Sequence, residues 1–191
     1  MQTLMVDFII SLDGYGAATD WPGLWGLGGP EYFDFLGEQE EHTVLLGAKT
    51  YRLMSGFAAD GAGMAELDAM RKVVFSSTLE EPLTWANTEL VATDAVEHVR
   101  EMKRTGDLPV RTLGSISLCR SLLTAGLVDR FRVVIFPVIT GANGYDRIFD
   151  EYPDVRLELL DHRVMDGRLQ MLEYAPTVMD APPGSDAPMS S

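Results

Sequence analysis

The stretch Leu45-Leu46-Gly47-Ala48-Lys49-Thr50-Tyr51 places a buried strand pattern, a glycine, a cation and a hydroxyl in immediate succession. Helix N-termini expose free N–H groups and a partial positive charge, so a strand that ends in glycine and feeds a helix suits a phosphate. Gly47 would let the backbone approach such a group, and Lys49 and Thr50 would add charge and a donor. The same residues also suit an ordinary strand–helix corner with a solvated lysine. A second junction, Gly114-Ser115-Ile116-Ser117-Leu118, repeats the logic, although Ser115 or Ser117 could simply N-cap the helix. Ser76-Ser77-Thr78 ends another strand pattern with three hydroxyls, which suit a ribose or its phosphate, or a Ser/Thr turn. All three stretches fall at C-terminal ends of strands, where open α/β sheets bind their ligands.

The elements that must position them follow from periodicity. Leu4–Ser11 reads as a buried strand, apolar apart from Asp7, followed by the turn Leu12-Asp13-Gly14. Residues 15–29 read as a long loop, and Pro30 opens a helix to about Glu41. Thr43–Gly47 is a strand and a helix begins at Ala48; residues 56–63 are a loop and 64–70 a short helix. Residues 72–76 and Thr88–Val91 are strands. Asp94 N-caps an amphipathic helix to Arg104 whose apolar side is Val96, Val99 and Met102–Lys103. Residues 109–113 form a strand, and the helix behind Gly114-Ser115 runs through Ala125 with Gly126 closing it. Residues 131–136 are a sixth strand and 140–146 a turn-rich loop; 157–163 and 168–174 close as a hairpin around Asp166-Gly167. The order βαβαβ, βαβαβ, ββ predicts an α/β domain over residues 1–175: a mostly parallel central sheet with flanking helices and a C-terminal antiparallel hairpin. Residues 176–191, rich in Pro, Ser, Ala and Asp, read as a flexible tail.

Composition narrows the chemistry. Among 191 residues, 29 acids against 15 bases leave a formal net charge of −14, a surface that repels phosphate backbones and excludes nucleic acid as a partner. No apolar run is long enough to span a bilayer and the N-terminus lacks a signal-peptide pattern, which together with a single cysteine, Cys119, points to the cytoplasm. His42, His98 and His162 are scattered, so no metal site is expected.

Taken in order, several motifs resemble the dihydrofolate-reductase-like superfamily. They are the Gly-x-Lys-Thr-Tyr helix start at 47–51, the strand ending Ser76-Ser77-Thr78-Leu79, the Leu113-Gly114-Ser115 helix start and Gly126-Leu127-Val128-Asp129. Ser11-Leu12-Asp13-Gly14, Pro137-Val138 and Gly141-x-x-Gly144 fit the version found in the reductase domain of the bifunctional riboflavin-biosynthesis deaminase/reductase and its stand-alone relatives. The deaminase half needs paired cysteines and is excluded by the single one here. The resemblance spans about residues 3–175. It implies an NAD(P)H-dependent oxidoreductase that moves hydride to a C=N or C=O group of a small pterin- or ribosylaminopyrimidine-like heterocycle, and a homodimer involving the sixth strand or the hairpin.

Carried over by position, the resemblance assigns cofactor phosphate contacts to Gly47, Ala48, Lys49 and Thr50, and ribose and 2′-phosphate contacts to Ser76, Ser77 and Thr78. The pyrophosphate falls to Gly114, Ser115, Ile116, Ser117 and Leu118. Relatives carry Arg where Ala48 stands and often Gly where Ser115 stands; losing that guanidinium leaves NADH open beside NADPH. The folate-reducing branch uses an acid at the start of the helix after the long loop. Glu31 takes that place, with Asp34 one turn on and Asp13 as the other candidate. Glu31, Asp34, Glu38 and Glu41 equally describe a solvated acidic stripe. Trp21 and Trp25 either cover a nicotinamide or pack as a lid. Two other readings stand beside this one: a non-catalytic nucleotide- or pterin-binding protein of the same fold, and a dedicated folate reductase.

Overall fold

The computed structural model describes residues 1–21, 23–60 and 65–181. Its strands are β1 (Leu4–Ser11), β2 (Tyr15–Ala18), β3 (Thr43–Gly47), β4 (Lys72–Phe75), β5 (Thr88–Val91), β6 (Val110–Thr112), β7 (Arg130–Phe136), β8 (Gly144–Arg147), β9 (Val155–Met165) and β10 (Leu169–Val178). The helices are α1 (Pro30–Gly37), α2 (Ala48–Ala59), α3 (Ala65–Ala69), α4 (Ala95–Thr105) and α5 (Ile116–Thr124). Eight strands form one sheet in the order β5-β4-β3-β6-β1-β7-β10-β9. β5 through β7 run parallel, and the β9–β10 hairpin joins β7 antiparallel, as the strand–helix alternation predicts.

Alternation along β1 sorts the two faces of the sheet. Leu4, Val6, Phe8 and Ile10 are buried with α5's Leu118, Leu122 and Leu123. On the opposite face Ile9 packs with Tyr32 and Phe35 of α1, Val134 and Phe136 of β7, and Met171 of β10. Burial of this kind, at about 25 cal/mol per Å² of apolar surface, is what fixes the helices to the sheet.

Several expectations change. The span 15–29 is not a bare loop: Tyr15–Ala18 pairs antiparallel with Gly144–Arg147 as a separate two-stranded sheet, and Trp25–Leu27 makes a 3-10 turn. The same pairing replaces the turn-rich loop read at 140–146. Helix α1 stops at Gly37 rather than near Glu41, and α2 continues to Ala59 through residues read as loop. β10 runs to Val178, three residues past the boundary set by composition at 175. Residues 61–64, and 182–191 of the expected tail, lie outside the described residues. Among the described residues no helix is long and apolar enough to cross a membrane, and no cluster of His, Cys, Asp or Glu could hold a metal ion.

Candidate active site

A cleft of about 1890 Å³ opens along the C-terminal ends of β3, β4 and β6 and runs beneath α1. Its walls include Gly47 to Thr50, Ser76 to Thr78 and Gly114 to Leu118, so all three stretches singled out by residue type meet in one space. Gly47 and Ser115 hold the two helix starts together. Ser115 Oγ accepts from the Gly47 N–H at 2.6 Å and donates to Thr50 Oγ1 at 2.9 Å. A Cβ on Gly47 would lie 3.1 Å from Ser115 Oγ, which is why a glycine suits that approach. Ser115 takes a left-handed conformation (φ 69°, ψ 72°) at the N-cap position of α5, yet its side chain does not cap the helix. The expectation of a serine N-cap is corrected: the hydroxyl is turned across to α2.

Neither α2 nor α5 has a side-chain cap at its start. Their first residues, Ala48–Thr50 and Ile116–Leu118, whose N–H groups have no partner within a helix, line the cleft. The cations do not sit where the spacing suggests. Lys49 is largely exposed, and its ammonium pairs with both carboxylate oxygens of Asp146 at 2.6 Å beside the Tyr145 ring. One turn along α2, Arg52, which the sequence reading missed, donates to Thr78 Oγ1 at 3.3 Å. Arg52 therefore brings a guanidinium to the Ser76–Thr78 turn; its signal was the i, i+3 spacing from Lys49, which puts both on one helix face. Ser76 Oγ accepts from the N–H groups of Thr78 and Leu79, so its hydroxyl also builds the turn.

The carboxylates chosen as proton donors stand elsewhere. Glu31 is exposed, does not line the cleft, and accepts from the Asp166 N–H of the hairpin turn. Asp34 is also exposed and outside the cleft, while Glu38 pairs with Arg163. These residues form the solvated stripe, not a buried acid. Asp13 joins Ser11 Oγ (2.6 Å) to the N–H groups of Thr140 and Gly141. The Ser11 hydroxyl and those backbone donors hold its carboxyl down to about 2, against some opposition from burial, so it stays ionised and staples a turn. Trp25 lines the cleft edge-on to Phe57, whereas Trp21 lies outside it.

The floor of the cleft carries charge that was visible only as a lone Asp in an apolar strand. Asp7 of β1 pairs with Arg111 of β6, and Gln39 Oε1 accepts from both Arg111 (3.2 Å) and Arg132 (2.6 Å). Arg132 in turn grips Glu173 of β10. His42, beside them, is buried; Nδ1 donates to the Glu40 carbonyl at 2.7 Å and desolvation lowers its pKa. Burial likewise pushes the Tyr32 hydroxyl up, so it stays protonated.

An open, largely parallel sheet with its cleft at the strand C-termini and two uncapped helix starts in its wall defines an α/β protein of the kind whose geometry suits a phosphorylated small molecule. Residues 2–171 match the family model for the RibD C-terminal domain, and the chain belongs to that family. It is similar to YyaP of Bacillus subtilis (strain 168), 25% identical over 183 residues that cover 91% of this chain and 94% of that one. A protein ascribed to riboflavin biosynthesis in Shewanella sp. PV-4 superposes with a TM-score of 0.73 at 20% identity, over 92% of this chain and 99% of that one. Dihydrofolate reductase of Enterococcus faecalis, solved with NADP(H) and RAB-propyl, gives 0.60 at 13% identity, over 92% and 96%. The dihydrofolate-reductase-like fold implied by the motifs is the fold observed.

Proposed function

We propose that this protein is a cytoplasmic NAD(P)H-dependent reductase that delivers hydride to a C=N or C=O group of a small, flat heterocycle. The observation that carries the reading is the convergence, in one cleft, of two uncapped helix starts with Arg52 and the Ser76–Thr78 turn. Family membership and the superposition on a dihydrofolate reductase solved with NADP(H) support it. The donor set fits a dinucleotide: backbone N–H groups at Ala48–Thr50 and Ile116–Leu118 would hold its phosphates, and Arg52 with Thr78 would take a 2′-phosphate. When bound, the nicotinamide supplies the hydride. The chain's own residues then orient the acceptor and exclude water, with Phe33, Phe35, Leu36 and Leu53 as apolar walls of the cleft. NADPH is the favoured cofactor because Arg52 stands beside the hydroxyl turn. We further propose a homodimer formed through β9, an 11-residue edge strand on which Leu157, Leu159, Leu160 and Val164 are exposed.

Calorimetric titration with NADPH and NADH, followed by NADPH consumption over a panel of pterins and aminopyrimidines, tests the reading. NADPH binding with turnover of at least one heterocycle is the expected result. A second reading, a non-catalytic binding protein, is favoured by the placement of Glu31, Asp34 and Asp13 away from the cleft floor. Tight cofactor binding without consumption over the whole panel would establish it.

A further inference from the structure

Four neighbouring strands carry a row of alternating charge on the α1 face of the sheet: Arg111 on β6, Asp7 on β1, Arg132 on β7 and Glu173 on β10. The two halves of this row are built differently. Glu173 is almost fully buried and saturated, accepting from Arg132 Nε and Nη2 and from Arg130. The pair it forms with Arg132 does not line the cleft. Asp7 and Arg111 do line it. Among the described residues the Asp7 carboxylate accepts one side-chain hydrogen bond, from Arg111 to Oδ2, and Oδ1 accepts none. A buried ion pair adds little to stability over apolar residues of the same shape. A carboxylate with a spare oxygen at the end of an apolar cleft is instead suited to read a ligand.

We infer that Asp7, oriented by Arg111 and backed by Gln39, is the residue that selects the substrate, taking a flat heterocycle by an edge that presents N–H donors. The ring would lie among Ile9, Phe35 and Val134, which line the same end of the cleft. Arg111 fixes the carboxylate, and Gln39 Oε1 fixes Arg111 through the bond already described, so the acceptor is pre-oriented before the ligand arrives. A heterocycle with a carbonyl in place of the amino group would set oxygen against a carboxylate and lose affinity. This inference rests on the cleft being the reductase site, and it extends that reading to the class of substrate.

The test is a pair of ligands that differ at one position. Pterin carries a 2-amino group and lumazine a 2-oxo group, and both are titrated into the NADPH-saturated and the cofactor-free protein. The expected result is pterin binding roughly ten- to a hundredfold tighter than lumazine, the worth of a hydrogen bond to a charged acceptor. In Asp7→Asn the preference should collapse, while the NADPH dissociation constant stays within about twofold because the two subsites share no residue. Equal affinity in the wild type, binding of neither ligand, or a preference that survives Asp7→Asn would overturn the inference. If Asp7→Asn does not fold, the wild-type ratio decides alone. Failure of the cofactor reading looks different: NADPH then does not bind, and the pterin preference in the cofactor-free protein is untouched.

Discussion

The helix starts that meet at Gly47 and Ser115 and those at Gly29 and Asp94 are finished in opposite ways. Helix α4 begins with Asp94, whose carboxylate accepts from the N–H groups of Val96 and Glu97. Helix α1 begins with a glycine but borrows its cap from the far end of the chain, where Asp166 accepts from the N–H groups of Gly29, Glu31 and Tyr32 at 3.0 to 3.3 Å. A Cβ on Gly29 would lie 2.4 Å from that carboxylate, so the glycine is what admits it. Helices α2 and α5 have neither device. Where a carboxylate would serve stability alone, the protein supplies one. At Gly47 and Ser115, where two helix starts meet, no side chain supplies a cap and the N–H groups are left for a ligand to complete.

Installing a carboxylate where none belongs should perturb the open helix starts most strongly. Ser115→Asp keeps a residue type that tolerates the left-handed backbone and puts negative charge between the two open helix starts. NADPH affinity should fall by at least roughly a hundredfold, since like charges a few ångströms apart near a surface repel by several kcal/mol. Titration calorimetry reads this directly, and an unchanged dissociation constant would remove both helix starts from the site. Next in size is Arg52→Ala, which should weaken NADPH roughly ten- to a hundredfold and leave NADH nearly unaffected. Equal losses for the two cofactors would place Arg52 away from the 2′-phosphate.

Local pattern made one part of this division legible and left the other part hidden. The strand and helix that meet at Gly47, the Ser76–Thr78 turn and the Gly114–Ser115 junction were readable because each is a contiguous signal of glycine, hydroxyl and apolar run. Asp94 was readable for the same reason. The Asp166 cap was not, because its partners are 134 to 137 residues away and a turn aspartate looks the same whether or not a helix leans on it. Glu31 was misplaced by the same blindness: position at a helix start is local, but whether that start faces a cleft or a hairpin is decided by the whole fold. The β2–β8 pairing escaped because its strands are four residues each, too short for periodicity to declare. Asp7 was noticed only as an interruption in a buried strand, and its partner Arg111 comes from a strand 104 residues later.

The capping carboxylates Asp166 and Asp94, neither of which lines the cleft, should matter to stability and not to ligands. Asp166→Asn keeps the turn's shape but removes charge and acceptor capacity from three N–H groups, and should cost about 1–2 kcal/mol. Asp94→Ala removes a two-bond cap and should cost about 1 kcal/mol. Urea unfolding measures both, and neither variant should shift the NADPH dissociation constant by more than about twofold. A clear loss of cofactor affinity in either would dissolve the division between capped and open helix starts.

The smallest expected effect concerns His42, which carries the same division within one side chain. Its Nδ1 is satisfied by the Glu40 carbonyl, while among the described residues Nε2 has no hydrogen-bond partner and the ring lines the cleft. Burial disfavours the charged imidazolium more than the Glu40 contact favours it, so the folded pKa lies below the ordinary 6.5. The unfolded chain therefore binds a proton at pH values where the folded one still declines it. Stability is fully present above about 6.5 and is lost as the pH falls toward the folded value. His42→Gln can still donate to the Glu40 carbonyl but does not titrate, so its melting temperature should fall less than the wild type's between about pH 7 and pH 5. Parallel curves for the two proteins would show that His42 titrates alike in both states, and that its ring is wetter than its burial suggests. A ligand that donates to Nε2 would favour the neutral ring further, so its affinity should weaken as the pH falls through the same window.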